Sequence, residues 1–219
     1  MLTVPARYNV QLRPANHDRA STSKQSEFRV ASDKVWAWLE QSRVIPSLRV
    51  AANIPAACAS PSRIVFLLFG TPLMIGDIVL RLSDAGKIAI ANLDLLPGLA
   101  RDSAAIEFLA RAGVSGVIST HQDALRAARS QGLLAVQRTF ALDSAALANS
   151  LRTLEHFQPD IIELLPAVAA PLTIPMLRAA QPNLPIIGCG LVRSLMQVDE
   201  LVRQGVTSVS VSDPSLWVV

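Results

Sequence analysis

Residues able to grip an anion and hydroxyl groups recur at one kind of place in this sequence, directly after or at the close of short runs of Val, Ile and Leu. Arg49 follows the run 44–48, Asp94 the run 87–93, Ser119 and Thr120 the run 114–118, and Arg138 the run 133–137. Glu163 lies at the end of the run 160–164, and Gly188, Gly190 and Arg193 follow the run 185–187. Ser210 and Ser212 come at the end of the run 206–211. Guanidinium groups pair with phosphate oxygens, small residues expose backbone N–H groups to an anion, and carboxylates accept hydrogen bonds from hydroxyls. Gathered on one face, these groups suit a small phosphorylated polyol.

Catalysis would need further parts. A Schiff-base mechanism requires a lysine near the site, and the only lysine after residue 43 is Lys87, at the start of a run rather than its end. His17 lies in the polar N-terminal stretch, His156 ends a helical segment, and His121 reads as a helix-start residue. No cluster has metal-ligand spacing, and no cofactor is implied. Asp94 and Glu163 form the one carboxylate pair available for acid/base work. Cys58 and Cys189 are too few and too far apart for a disulfide framework, which fits a reduced cytoplasmic compartment.

Convergence on one face requires the runs to be parallel strands of one sheet. The β-branched, wholly apolar runs predict strands buried on both faces, and the amphipathic segments between them predict helices. Gly86, Gly113, Gly132 and Gly205 each stand just past a helical segment, the place for a left-handed C-terminal cap. Eight such units predict a compact (β/α)8 TIM-type barrel over residues 44–219, an open doubly wound sheet being the competing architecture. In a barrel the loops after strands 7 and 8 bind phosphate. Here these are the Gly188–Cys189–Gly190 turn and Ser212-Asp213-Pro214, a helix start.

Residues 1–43 predict a polar N-terminal extension, disordered over 1–27, with one short helix over 34–42 carrying Trp36 and Trp38. That helix is expected to dock on the base of the barrel. Hydrophobic residues make up 51% of the 219-residue chain, enough for a well-buried core. The net charge of +3 is carried entirely by residues 1–45, and the rest of the chain is neutral. The most apolar stretch, 64–76, is broken by Gly70 and Pro72 and is too short to span a bilayer. The polar start of the chain lacks the apolar region of a signal peptide.

Seven short motifs, in order, resemble one family. They are I-P-S-L-R (45–49), L-D-L-L-P-G-L (93–99), G-V-I-S-T (116–120), V-Q-R-T-F-A-L-D (136–143), P-D-I-I-E-L-L-P (159–166), G-C-G-L-V-R (188–193) and V-S-V-S-D-P-S-L-W (209–217). From residue 44 to 217 the chain resembles the glycerol-3-phosphate-responsive antiterminators of glycerol uptake operons. The resemblance implies a TIM-type barrel that binds glycerol 3-phosphate and acts on leader mRNA to let transcription pass a terminator. It falls on Arg49, Asp94, Arg138, Glu163, Gly190, Arg193 and Ser212. A homo-oligomer is compatible with it; a membrane partner is not expected. Two departures are the extension before strand 1 and Cys189 where the family turn reads Gly-Gly. The alternatives are a barrel enzyme acting on a phosphorylated polyol or triose phosphate, or a sensor working through a protein partner.

Overall fold

The computed structural model describes residues 36–218, so the expected disordered stretch 1–27 lies outside the described residues. Eight strands close into a parallel barrel in sequence order. They are β1 (Val44–Leu48), β2 (Ile64–Leu67), β3 (Ile88–Asn92), β4 (Gly116–Ser119), β5 (Leu134–Phe140), β6 (Ile161–Leu165), β7 (Ile186–Cys189) and β8 (Ser208–Val211). Parallel pairing of β1 with β8, through Val44–Val209 and Ile45–Ser210, completes the ring. The barrel, not the open sheet, is the architecture.

A short helix α1 (residues 36–41) precedes β1. Outer helices α2 (Ile54–Ala59), α3 (Ile75–Asp84), α4 (Ser103–Arg111), α5 (Gln122–Ser130), α6 (Ser144–His156), α7 (Ala170–Ala180) and α8 (Leu195–Arg203) follow β1 to β7. A single 3-10 turn, Pro214–Leu216, follows β8. Local chemistry sets the helix ends. Asp102, Asp143 and Ser194 cap α4, α6 and α8 by accepting a backbone N–H three residues on. The four expected capping glycines all take positive φ, 72° to 98°.

Alternation along each strand splits the apolar residues between two cores. Outward-facing residues such as Val44, Val65, Ala91 and Val209 meet the helices in the larger one. Inward-facing Ile45, Ile64, Phe66, Ile90, Ile118, Val136, Ile161 and Ile187 fill the barrel. Leu39 of α1 belongs to this inner core and is fully buried. Its carbonyl accepts from the hydroxyl of Ser208, the first residue of β8, at 2.8 Å. The helix therefore stoppers the N-terminal end of the barrel, and Arg63 packs over the Trp38 ring at 5.4 Å.

Two strands, β5 and β7, run beyond their apolar runs by two residues or more. β5 continues through Arg138, Thr139 and Phe140, which pair with Glu163, Leu164 and Leu165 of β6. β7 continues through Gly188 and Cys189. Polar or glycine residues mask these extensions in the sequence, but the facing strand supplies the ladder partners.

Candidate ligand-binding site at the barrel mouth

Continuing the inward alternation past the apolar plug brings Ser47, Arg138, Glu163, Cys189 and Ser210 to the C-terminal side of the barrel. They line a cavity of about 300 Å³, walled by Leu68, Leu165 and Val211 and opening between Arg49, Arg193 and Ser212. A volume of this order fits a small metabolite.

The floor carries a buried ion pair. Arg138 Nε donates to Glu163 Oε2 at 2.7 Å, with side-chain exposures of 9% and 1%. Strand register dictates it, since the two residues are direct neighbours across β5 and β6. Burial works against charge on Arg138, but Glu163 more than offsets this and raises its pKa above the ordinary value. The terminal amino groups of Arg138 donate to nothing among the described residues. Beside them, burial, reinforced by the Glu163 carboxylate, pushes the Cys189 thiol well above its usual range. It stays protonated and is not a nucleophile.

The rim is cationic and rich in free N–H groups. Arg49 donates from Nε to Ser212 Oγ at 3.0 Å, tying the loop after β1 to that after β8. After β7 the chain turns through Gly190 (φ 84°) and Leu191 (φ 64°). Both residues are left-handed, and the tight turn they form carries a run of backbone N–H groups just past β7. The N–H groups of Gly190, Leu191, Val192 and Ser194 donate to nothing among the described residues, whereas that of Arg193 is taken by Gln197 Oε1 at 2.7 Å. Leu191, an L-residue in a conformation that favours glycine, is itself 64% exposed. The 3-10 turn after β8 contributes less than expected. Asp213 accepts from the N–H of Ser215 at 3.0 Å, so its own carboxylate occupies the end of that turn.

Seven of the nine sequence candidates thus meet around one cavity: Arg49, Arg138, Glu163, Gly190, Arg193, Ser210 and Ser212. Asp94 and Gly188 do not line it. Asp94 accepts from the Ser119 hydroxyl at 2.8 Å, the Thr120 N–H at 2.8 Å, the Thr120 hydroxyl at 3.0 Å and Arg101 Nε at 3.2 Å. Burial alone would raise its pKa, but these hydrogen bonds outweigh burial and lower it. Asp94 is an ionised tie between the loops after β3 and β4. His121 is the N-terminal cap position of α5, with its Nδ1 3.5 Å from Asp94. Gly188 faces the outer layer, where an added Cβ would sit 3.3 Å from the side chains of Ala167 and Val206. Its smallness serves helix packing. Ser47, Cys189, Leu191, Val192 and Asp213 line the cavity without having been singled out as site residues. Alternation with Ile45 was a signal available for Ser47.

A closed parallel eight-stranded barrel, with a cavity rimmed by arginines at its C-terminal mouth, defines the class of the fold. The model of the family described as glycerol-3-phosphate responsive antiterminators matches residues 44–217, and the chain belongs to that family. It is 28% identical to the glycerol uptake operon antiterminator regulatory protein of Listeria monocytogenes, covering 81% of this chain and 95% of that one with a TM-score of 0.74. A glycerol uptake operon antiterminator-related protein from Thermotoga maritima is 29% identical, at 80% and 98% coverage and a TM-score of 0.73. The Escherichia coli (strain K12) protein YgcP, described as uncharacterized, is 29% identical over 180 residues, 82% of this chain and 93% of its own. Orotidine 5'-phosphate decarboxylase from Pyrococcus horikoshii, 19% identical with a TM-score of 0.59, shares the fold. Among the described residues no helix is long and apolar enough to cross a membrane.

Proposed function

We infer that this chain is a cytoplasmic transcription antiterminator that binds glycerol 3-phosphate at the barrel mouth and acts on the leader mRNA of glycerol-utilisation genes. One observation carries the ligand reading: Arg49 and Arg193, which have no carboxylate partner among the described residues, and open N–H groups form the rim of a cavity whose floor offers hydroxyls and an internally neutralised ion pair. The phosphate of a small polyol ester suits the former, and its hydroxyls suit the latter. Membership of the antiterminator family supports the RNA step.

The residues also weigh against an enzyme. Glu163, one half of the candidate acid/base pair, is engaged by Arg138. Asp94, the other half, is held ionised by four donors and does not line the cavity. The Cys189 thiol is held protonated, and the lysine nearest a strand, Lys87, precedes β3 at the opposite end and donates to the Ser60 carbonyl.

Ligand binding would order the turn after β7 and shift the population of an RNA-competent form. A tenfold gain in RNA affinity needs a coupling of about 1.4 kcal/mol, within the ordinary range for two linked sites. The test is a binding assay with the transcribed leader of a glycerol-utilisation operon, with and without glycerol 3-phosphate. Tighter binding with the ester supports the reading. Equal binding with and without it, or none in either case, contradicts it.

A further inference from the structure

We propose that Ser47 reads a hydroxyl of the bound ester and so makes the site selective for a polyol over a plain alkyl phosphate. The proposal rests on the ligand reading above and adds its orientation. Ser47 is the fourth residue of β1, directly opposite Phe66 of β2, with Ile45 two residues earlier in the inner core. Alternation therefore turns its side chain inward, and it lines the cavity while only 4% exposed. Its Oγ has no hydrogen-bond partner among the described residues.

That is an unusual state, because buried polar groups are nearly always hydrogen-bonded and the exceptions call for an explanation. Among the described residues three other buried atoms share it: Asn92 Nδ2, Gln137 Oε1 and Thr139 Oγ1. None of these three residues lines the cavity. Of these four residues, Ser47 is the one that lines this cavity, its Oγ buried just beneath the cavity surface.

The charges around the cavity set which end of the ester reaches Ser47. Arg49, Arg193 and the open N–H groups lie at the exposed rim. Glu163 lies deep, 1% exposed, where a phosphate dianion would meet a carboxylate in a low-dielectric floor. The phosphate therefore stays at the rim and the carbon chain points inward. There the terminal or central hydroxyl meets Ser47, Ser210 and the free lone pairs of Glu163. A serine hydroxyl both donates and accepts, so it complements an alcohol in either sense.

Titration calorimetry of the full chain and its Ser47→Ala variant with glycerol 3-phosphate and with propyl phosphate tests this. The two esters share a phosphate and a three-carbon chain and differ in their hydroxyls. The wild-type chain should favour glycerol 3-phosphate, and Ser47→Ala should lose about fivefold to tenfold in affinity for that ester alone. Removing one unpartnered oxygen orphans no neighbour, and an unchanged thermal midpoint would verify that the fold stands. An unchanged affinity for glycerol 3-phosphate would overturn the assignment, as would an equal loss for both esters or equal binding of both by the wild type. Failure of the wild type to bind either ester would instead overturn the ligand reading on which the assignment rests.

Discussion

The two arginines at the ends of the cavity do different work although they are the same residue type. Arg138 is almost wholly buried and paired with Glu163, so its loss would leave a carboxylate without a partner in the barrel. Replacing Arg138 with alanine should cost about 3–5 kcal/mol of stability, because breaking one half of a buried pair strands the other. Arg193 lies at the rim and its side chain has no partner among the described residues. Arg193→Ala should leave the unfolding transition in place and weaken glycerol 3-phosphate binding by about 2 kcal/mol, the scale of a hydrogen bond to a charged group. Denaturant titration and calorimetry on the two variants read this split directly; reversed roles would show that Arg138 holds ligand and Arg193 holds fold. The sequence placed both at strand ends but could not separate them. Direct pairing of Arg138 with Glu163 depends on the register between β5 and β6, which no local pattern encodes. The partners of Asp94 were hidden for the same reason: Ser119 and Thr120 come from the next strand end, 25 and 26 residues away.

At the scale of elements, the apolar runs and capping glycines made the strands and most helices legible, because both are local signals. Strand ends were less so. Gly188 looked like the first residue of a turn, yet it is a β7 residue packed against Ala167, just before α7, and Val206, just before β8, and the turn begins at Gly190. Likewise the Ser212-Asp213-Pro214 signal marks only a three-residue 3-10 turn, whose first free N–H is taken by Asp213 itself. Helix α1 shows how a short element can matter through one residue. Leu39 fills the bottom of the inner core, so Leu39→Ala should destabilise the protein by about 2–5 kcal/mol while the ligand site at the other end is untouched. A lowered thermal midpoint with unchanged glycerol 3-phosphate affinity is the expected pair of results. An unchanged midpoint would mean that α1 is not needed as a stopper.

Across the whole molecule, function divides along the barrel axis. One end is closed by α1 and the inner aliphatic core, and the other end holds the ion pair, the hydroxyls and the cationic rim. The polarity of a parallel barrel makes this division inevitable, since all eight strands deliver their C-terminal residues to the same side. Whether that side takes the ester decides what the molecule senses. The direct measurement is calorimetric titration of the full chain with glycerol 3-phosphate, with glycerol and inorganic phosphate titrated separately. Micromolar binding of the ester and far weaker binding of either half are expected, because rim and floor each grip only one part of it. No heat with glycerol 3-phosphate, or equal affinity for inorganic phosphate, would contradict this expectation.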